Sequence, residues 1–309
     1  MNNILKLQKW LIDNELDTYI LFRTDEFLNE NIAPYAERLR WISNFSGSAG
    51  KAIISQNTAT IFVDGRYTFQ AHAEVDKDYF SIKHIKNFYN SLKISLRKHM
   101  VIGLDPYLHS KKDLDLIEKI TCKVNAEIKF LDSNPIDQLW KNQPKRPFSE
   151  AFIHPLKYSG KTVEKKILQI QSILKKNKCD YYIITSLDSI AWLLNLRGND
   201  ILYSPLNLAY VLVSQNKKIE LFINKKKIKN IKQRINKIAN CHSFQTTKHF
   251  IKSLSPNAII GIDKVRTPYF FEKICRENLL KFKYIEDPCI YPKAKKNELE
   301  LNGARKANI

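Results

Sequence analysis

Seven histidines, His72, His84, His99, His109, His154, His242 and His249, are the first candidates for acid–base or metal chemistry in this 309-residue sequence. None stands in H-E-x-x-H or another ligand spacing, so each is read as a surface or structural histidine. Asp113 and Asp115 form a D-x-D pair. Helical positions i and i+2 do not share a face, so the two carboxylates cannot converge on one ion. They are read as first-turn acids that favour the helix dipole. The five cysteines form no C-x-x-C, which argues against a zinc site or a disulfide framework and fits a reducing compartment. Ser46-Gly47-Ser48-Ala49-Gly50 has phosphate-loop composition but no downstream Gly-Lys-Ser/Thr, and it is not G-x-S-x-G. Gly47 and Gly50 are therefore read as marking a tight turn that only small residues fit. At Asp64-Gly65-Arg66-Tyr67 a strand end runs into a helix, with Asp64 as the cap and Gly65 permitting the turn. Arg66 is left as the one candidate for substrate contact, because a guanidinium suits a fixed carboxylate or carbonyl. Arg197 sits comparably after Leu196 and is read as a buried salt bridge or a carbonyl-bonded arginine at the domain interface rather than a ligand contact. No catalytic residue and no metal ligand is assigned.

The elements that must hold these residues alternate strand and helix. Strands are expected at 18–22, 51–55, 59–63, 80–85, 101–104 and 127–131, with helices at 4–14, 67–75, 87–99 and 112–120. Residues 51–63 read as a hairpin around Gln56-Asn57, so the sheet is mixed. After Pro144 and Pro147, which suit an interdomain linker, a helix is expected at 162–175. Strands follow at 181–185, 208–213, 219–223, 258–263 and 283–286, and helices at 226–238, 248–254 and 268–280. The fold class is α/β, two similar domains each with a mixed β-sheet flanked by helices.

The two halves repeat one plan. Apolar runs begin at Asp17 and Asp180. Trp41 and Trp192 each stand three residues before an Asn, Asn44 and Asn195, and six before Gly47 and Gly198. Both tryptophans are expected in the cores. Ile102-Gly103-Leu104-Asp105 is matched by Ile260-Gly261-Ile262-Asp263. Asn297 with Glu300 is a capping box opening a last helix that has no stop signal before Ile309.

At 44% hydrophobic and 27% charged residues the chain reads as globular. Its apolar runs are too short to span a bilayer, and the N-terminus lacks the features of a signal peptide. The net charge of +20 invites a nucleic-acid reading, with Lys225-Lys226-Lys227 as its footprint. Lysine is spread along the chain and no aromatic-interleaved basic motif is present, so compositional bias is the favoured explanation and nucleic acid is not assigned as a partner.

The run Arg23-Thr24-Asp25-Glu26, the segment Ala36–Gly50 with Arg40-Trp41-Ile42-Ser43-Asn44, and Val63-Asp64-Gly65-Arg66-Tyr67 together resemble the first domain of Xaa-Pro aminopeptidases. Asn134–Trp140, Ser186–Asp200 and Lys293–Ala307 resemble later landmarks of the three-domain form of that family. The resemblance implies two non-catalytic creatinase N-terminal-like domains, at 1–142 and 143–292, and a linker helix beginning at 293–309. It implies that the complete enzyme removes an N-terminal residue preceding proline, with two divalent ions, usually manganese, in a C-terminal pita-bread domain. The ligands of those ions have no counterpart here, so this chain is expected to be inactive alone and to hold no cofactor. Expected partners are peptides with proline in second position, the missing pita-bread domain and a second copy in a homodimer, in the cytoplasm. The two domains are expected to shape the substrate entrance and support oligomerisation. Residues 297–309 are expected to fray, and an uncovered apolar patch to favour self-association. Two departures are Phe27 and Asn308, where relatives often carry His. The alternative is a stand-alone binding or oligomerisation module, or a decayed remnant, without peptidase chemistry.

Overall fold

Short runs of β-branched and aromatic residues become strands; those inside the sheet are buried on both faces and read as continuous apolar segments, whereas the edge strands at 80–84 and 127–130 are largely exposed and alternate. In the computed structural model, which describes residues 2–309, these are β1 (Thr18–Phe22), β2 (Gly50–Ser55), β3 (Ala59–Val63), β4 (Phe80–His84), β5 (Val101–Leu104) and β6 (Glu127–Phe130). They form one sheet in the order β4-β3-β2-β1-β5-β6. The β2–β3 hairpin lies antiparallel to β1, and β5 lies parallel on the other side. Helices cover both faces. The first, Asn3–Asp13, buries Ile4, Leu7 and Leu11, the i, i+3, i+7 stripe of an amphipathic helix.

The chain divides into two compact units, Met1–Arg146 and Pro147–Ile309. The second contains β7 (Phe152–Ile153), β8 (Tyr181–Ile184), β9 (Leu196–Arg197), β10 (Ala209–Ser214), β11 (Ile219–Ile223), β12 (Ala239–His242), β13 (Ile259–Ile262) and β14 (Lys281–Tyr284). Its large sheet runs β12-β11-β10-β8-β13-β14, and β7 pairs with β9 in a small separate ribbon. Strand for strand, with the same parallel and antiparallel senses, this is the order of the first sheet.

The duplication reaches individual hydrogen bonds. Asp17 takes the Val101 N–H on its carboxylate at 2.7 Å while donating its own N–H to the Val101 carbonyl, and Asp180 does the same with Ile259. Gln8 and Gln171 donate to the carbonyls of Ser55 and Ser214. Asn14 and Asn177 each bond the carbonyl four residues back and accept a lysine, Lys129 and Lys283 respectively, on their own carbonyls. Gly103 faces Tyr19 across β1, and Gly261 faces Tyr182 across β8. A Cβ on Gly261 would lie 2.4 Å from the Tyr182 ring, so this strand needs a glycine to let the ring pass.

Several elements differ from the periodicity reading. The helices Arg38–Ser43 and Pro135–Leu139 and the strand β12 were not expected. The helix expected at 226–238 is a seven-residue 3-10 helix, Lys225–Ile231, followed by an α-helix, Lys232–Ile238. Within the first of these segments Lys227 is buried against Asp200.

Candidate functional site

The Asp64 corner leaves β3 and enters the helix Thr68–Glu74 through a 3-10 turn. Asp64 caps it, accepting the Arg66 N–H at 3.1 Å and the Arg66 Nε at 2.8 Å. Those bonds hold the Asp64 carboxyl below its ordinary value. Arg66 lies 5.5 Å from the Tyr67 ring centre, and its side chain is 71% exposed. Phe69, one turn on, is 92% exposed. Gly65 lets His84 approach, since a Cβ there would lie 3.2 Å from its ring.

Behind this corner the small-residue turn is held by side chains. Arg23 forks onto both Glu37 oxygens and donates to the Ser48 carbonyl at 3.0 Å. Ser48 shares a 2.6 Å hydrogen bond with Tyr67, and Ser46 donates both its N–H and its hydroxyl to Glu74. A Cβ on Gly47 would fall 2.3 Å from the Phe45 ring, and one on Gly50 would lie 2.7 Å from Leu39. Asn44 reverses the chain in the left-handed region at φ 64°, and Asn195 does so at φ 47° in the second unit.

A buried acidic pair lies nearby in sequence. Asp25 accepts from the N–H groups of Phe27 and Asn29 and from the Asn29 side chain. Burial, and then the neighbouring Glu26 carboxylate, push Asp25 up to about 7 against those bonds. Glu26 accepts from Tyr35 at 2.8 Å and pairs with Arg146 at 2.5 Å. Both acids are thus engaged within the unit. His109 is buried, and burial lowers it to about 4, so it is neutral at physiological pH.

In the second unit the Trp motif surrounds a buried lysine. Lys166 is 2% exposed and donates to the Trp192 carbonyl at 2.9 Å and to Asn195 Oδ1 at 2.7 Å. Its Nζ lies 4.7 Å from the Trp192 ring centre. Burial lowers it to about 8, and Glu300 opposes that shift. Sequence reasoning missed Lys166, although a signal was present: it occupies the 166, 170, 174 stripe that Ile170 and Leu174 complete in the helix Val163–Lys176. Asn3, at the matching place in the first unit, donates to the Trp41 carbonyl at 3.0 Å. Trp192 is buried, whereas Trp41 is half-buried and stacks on Trp140 at 5.8 Å. Asn195 also bonds Ser159 and the Lys161 carbonyl. Arg197 is bound to the carbonyls of Ala191 and Leu196. Gly198 gives room to the Asn207 side chain, which a Cβ would meet at 2.1 Å. The last helix, Glu298–Ala307, starts with the Asn297–Glu300 capping box, and Asn297 also donates to the Ser159 carbonyl. Phe27 is buried, and the Asn308 side chain donates to the Ala304 carbonyl.

The structure therefore brings Trp192, Asn195 and Lys166 together, and Asp64, Gly65 and Arg66 together. Among the described residues no group of three or more His, Cys, Asp or Glu is placed to hold a metal ion. Burial raises the thiols of Cys179, Cys241 and Cys289 and pushes Cys275 up to about 12, so none of these four is a ready thiolate. No helix of the described residues is long and apolar enough to cross a membrane.

Comparison with known proteins adds the following. Residues 3–138 and residues 142–300 each match a family described as the creatinase/prolidase N-terminal domain. A protein of Paracoccidioides lutzii named "Probable Xaa-Pro aminopeptidase P" is 29% identical over 98% of this chain and 52% of its own length. One of the same name from Aspergillus fumigatus is 34% identical over 73% of this chain and 35% of its own length. The X-prolyl aminopeptidase of Caenorhabditis elegans, described as a cytosolic enzyme with a di-nuclear active site, is similar with a TM-score of 0.88 and 26% identity. That likeness covers 94% of this chain and 49% of the nematode protein. The chain spans about half the length of the curated relatives it matches.

Proposed function

The chain belongs to the creatinase/prolidase N-terminal domain family, which it carries twice in tandem, and from that premise we propose that it is the non-catalytic N-terminal portion of an Xaa-Pro metallo-aminopeptidase. The complete protein removes an N-terminal residue that precedes proline. Residues 1–142 and 143–292 are its two N-terminal domains, and residues 293–309 lead toward a C-terminal pita-bread domain. That domain would hold two divalent ions, manganese on the family resemblance, which would supply Lewis-acid activation of water for peptide hydrolysis. The side chains present in this chain do not fit that pair of ions, because no three candidate ligands converge among the described residues. No catalytic step is assigned to them.

The observation that carries the proposal is the likeness to the nematode X-prolyl aminopeptidase, which extends over nearly all of this chain but about half of that enzyme. The role assigned to the two domains is to shape the substrate entrance and support a homodimer. Arg66 is the residue assigned to the entrance. Its exposed guanidinium, next to the exposed Phe69 ring, presents a donor and an apolar surface suited to a peptide carbonyl and side chain. A cytoplasmic location is supported by the cytosolic nature of the nematode enzyme and by five cysteines that are all free thiols.

The test is peptide turnover by two proteins, residues 1–309 and a form extended by the downstream reading frame, each supplied with manganese. The extended form is expected to release the first residue from an Xaa-Pro peptide, and residues 1–309 to release none. If the extended frame ends without further protein, or the extended form is inert toward such peptides, the stand-alone module replaces this reading.

A further inference from the structure

The charge of this protein is unevenly divided between two copies of one fold. Residues 147–309 carry 30 Lys and Arg against 13 Asp and Glu, whereas residues 1–146 carry 21 against 18. The net charges are therefore +17 and +3. Compositional bias acts on both halves of one gene and does not account for that difference. The topologically equivalent edges account for half of it. In the first unit, residues 59–95 span β3, β4 and their flanking helices with five Lys and Arg and four Asp and Glu. In the second, residues 219–252 span β11, β12 and their flanking helices with nine and one. That one acid, Glu220, is occupied by His242 at 2.6 Å and Asn240 at 3.0 Å.

From this edge we propose that the second unit binds the phosphate backbone of a duplex nucleic acid, without sequence preference, along residues 225–252. Lys225, Lys226, Lys229, Lys232, Arg234 and Lys237 are all exposed, and among the described residues none of the six has a carboxylate within 4.0 Å. The backbone arranges them. A 3-10 helix has three residues per turn, so Lys226 and Lys229 eclipse one another about 6 Å apart, and Lys232 continues the row at the start of the next helix. Runs of seven residues in this conformation are uncommon. Here the buried Lys227–Asp200 pair fixes the segment from inside and leaves its neighbours facing outward. The corresponding 3-10 turn of the first unit, Gly65–Tyr67, has three residues and one cation.

The surroundings of the row favour phosphate over other polyanionic surfaces. No large apolar side chain between residues 204 and 264 is strongly exposed, so the face has nothing to insert into a bilayer. It also lacks an exposed aromatic platform for unstacked bases, so a duplex fits better than a single strand. Lysine ammonium groups bind phosphate as point charges and carry no base readout.

The test is fluorescence anisotropy of the chain with a 20-base-pair duplex over a range of salt, alongside sedimentation with vesicles rich in phosphatidylserine. Non-specific affinity on the order of 10⁻⁴ to 10⁻⁶ M is expected near physiological salt. Replacing Lys226, Lys229 and Lys232 together by Gln should lower the slope of log affinity against log salt by about 3 and weaken binding about tenfold or more at low salt. The same charge change in the first unit, with Lys83, Lys86 and Lys93 replaced by Gln, should leave both nearly unchanged. All six side chains are exposed, and thermal melts of both variants check that folding is retained. The proposal is overturned if duplex fails to bind at low salt, if the two variants weaken binding equally, or if vesicles bind and duplex does not.

Discussion

Replacing Lys166 by Met tests how the second Trp motif is held. In the folded chain the ammonium is held to about 8 by burial, against an ordinary 10.5. Between those values the unfolded chain holds a proton that the folded chain has released. Stability therefore rises as pH rises from about 8 toward 10.5, and the charged form is a cost below 8. Linkage with these two values gives a gain of about 2 kcal/mol between pH 7.5 and 9.5 from this group alone. The Met side chain keeps the stem and removes the proton. It leaves the Trp192 carbonyl and Asn195 Oδ1 without their donor, a penalty of about 1–3 kcal/mol. At pH 7.5 the relief of burying a charge offsets much of that, so the variant should be close to the parent in stability. At pH 9.5 it should be less stable by about 2 kcal/mol more than at pH 7.5. Urea unfolding of both proteins at the two pH values measures this double difference, and groups that titrate in both proteins cancel. If the two stabilities move in parallel with pH, to within about 0.5 kcal/mol, Lys166 does not titrate in this window and its account is wrong.

Three further outcomes follow from the geometry. Gly261→Ala should destabilise by about 1–3 kcal/mol, and more than Gly103→Ala, because its new methyl meets the Tyr182 ring at 2.4 Å whereas the nearest atom to a Cβ on Gly103 is 3.0 Å away; denaturant titration of the two variants ranks them. Arg66→Ala should leave the melting temperature unchanged, since its pair with Asp64 is solvent-exposed, and should raise KM in the complete enzyme; a falling melting temperature with normal kinetics would make Arg66 structural. The fraying expected over residues 297–309 should be confined to the end of the last helix: hydrogen exchange should be fast over the exposed final turn, residues 304–307, and slow at Leu301, whose N–H is bonded to Asn297, itself anchored to Ser159. Uniformly fast exchange from residue 298 onward would mean that the Asn297–Ser159 anchor does not hold in solution.

Much of this fold can be read from residue order. The inner strands of the two six-stranded sheets follow from apolar β-branched runs, and the duplication from the Asp, Trp-x-x-Asn and Gly landmarks that recur in register. The elements that escaped have weak local signals. Ala-Asn-Cys-His of β12 has no β-branched residue, and its pairing with β11 decides its conformation. The helix Arg38–Ser43 is one and a half turns long and carries two arginines, of which Arg38 is anchored by Asp137 ninety-nine residues away. The polar interior escaped for the same reason. Lysine is almost never fully buried unless it is paired, and the partners of Lys166 and Lys227 lie 26 to 29 residues away, beyond any local pattern. The corner at Asp64 was readable because capping acts over two or three residues. The even spread of lysine assumed from the sequence hid the excess on the second unit, which a separate count of the two halves shows and the strand-by-strand correspondence traces in part to one edge.

The central claim is that this chain is the metal-free half of a two-ion peptidase. The most direct test is bound manganese, measured after desalting, on residues 1–309 and on the form extended downstream, with Xaa-Pro peptide turnover followed in the same samples. The account predicts no tightly held ion and no turnover for residues 1–309, and two ions per chain with turnover for the extended form. A stoichiometric ion retained by residues 1–309, or peptide cleavage by them, would contradict it.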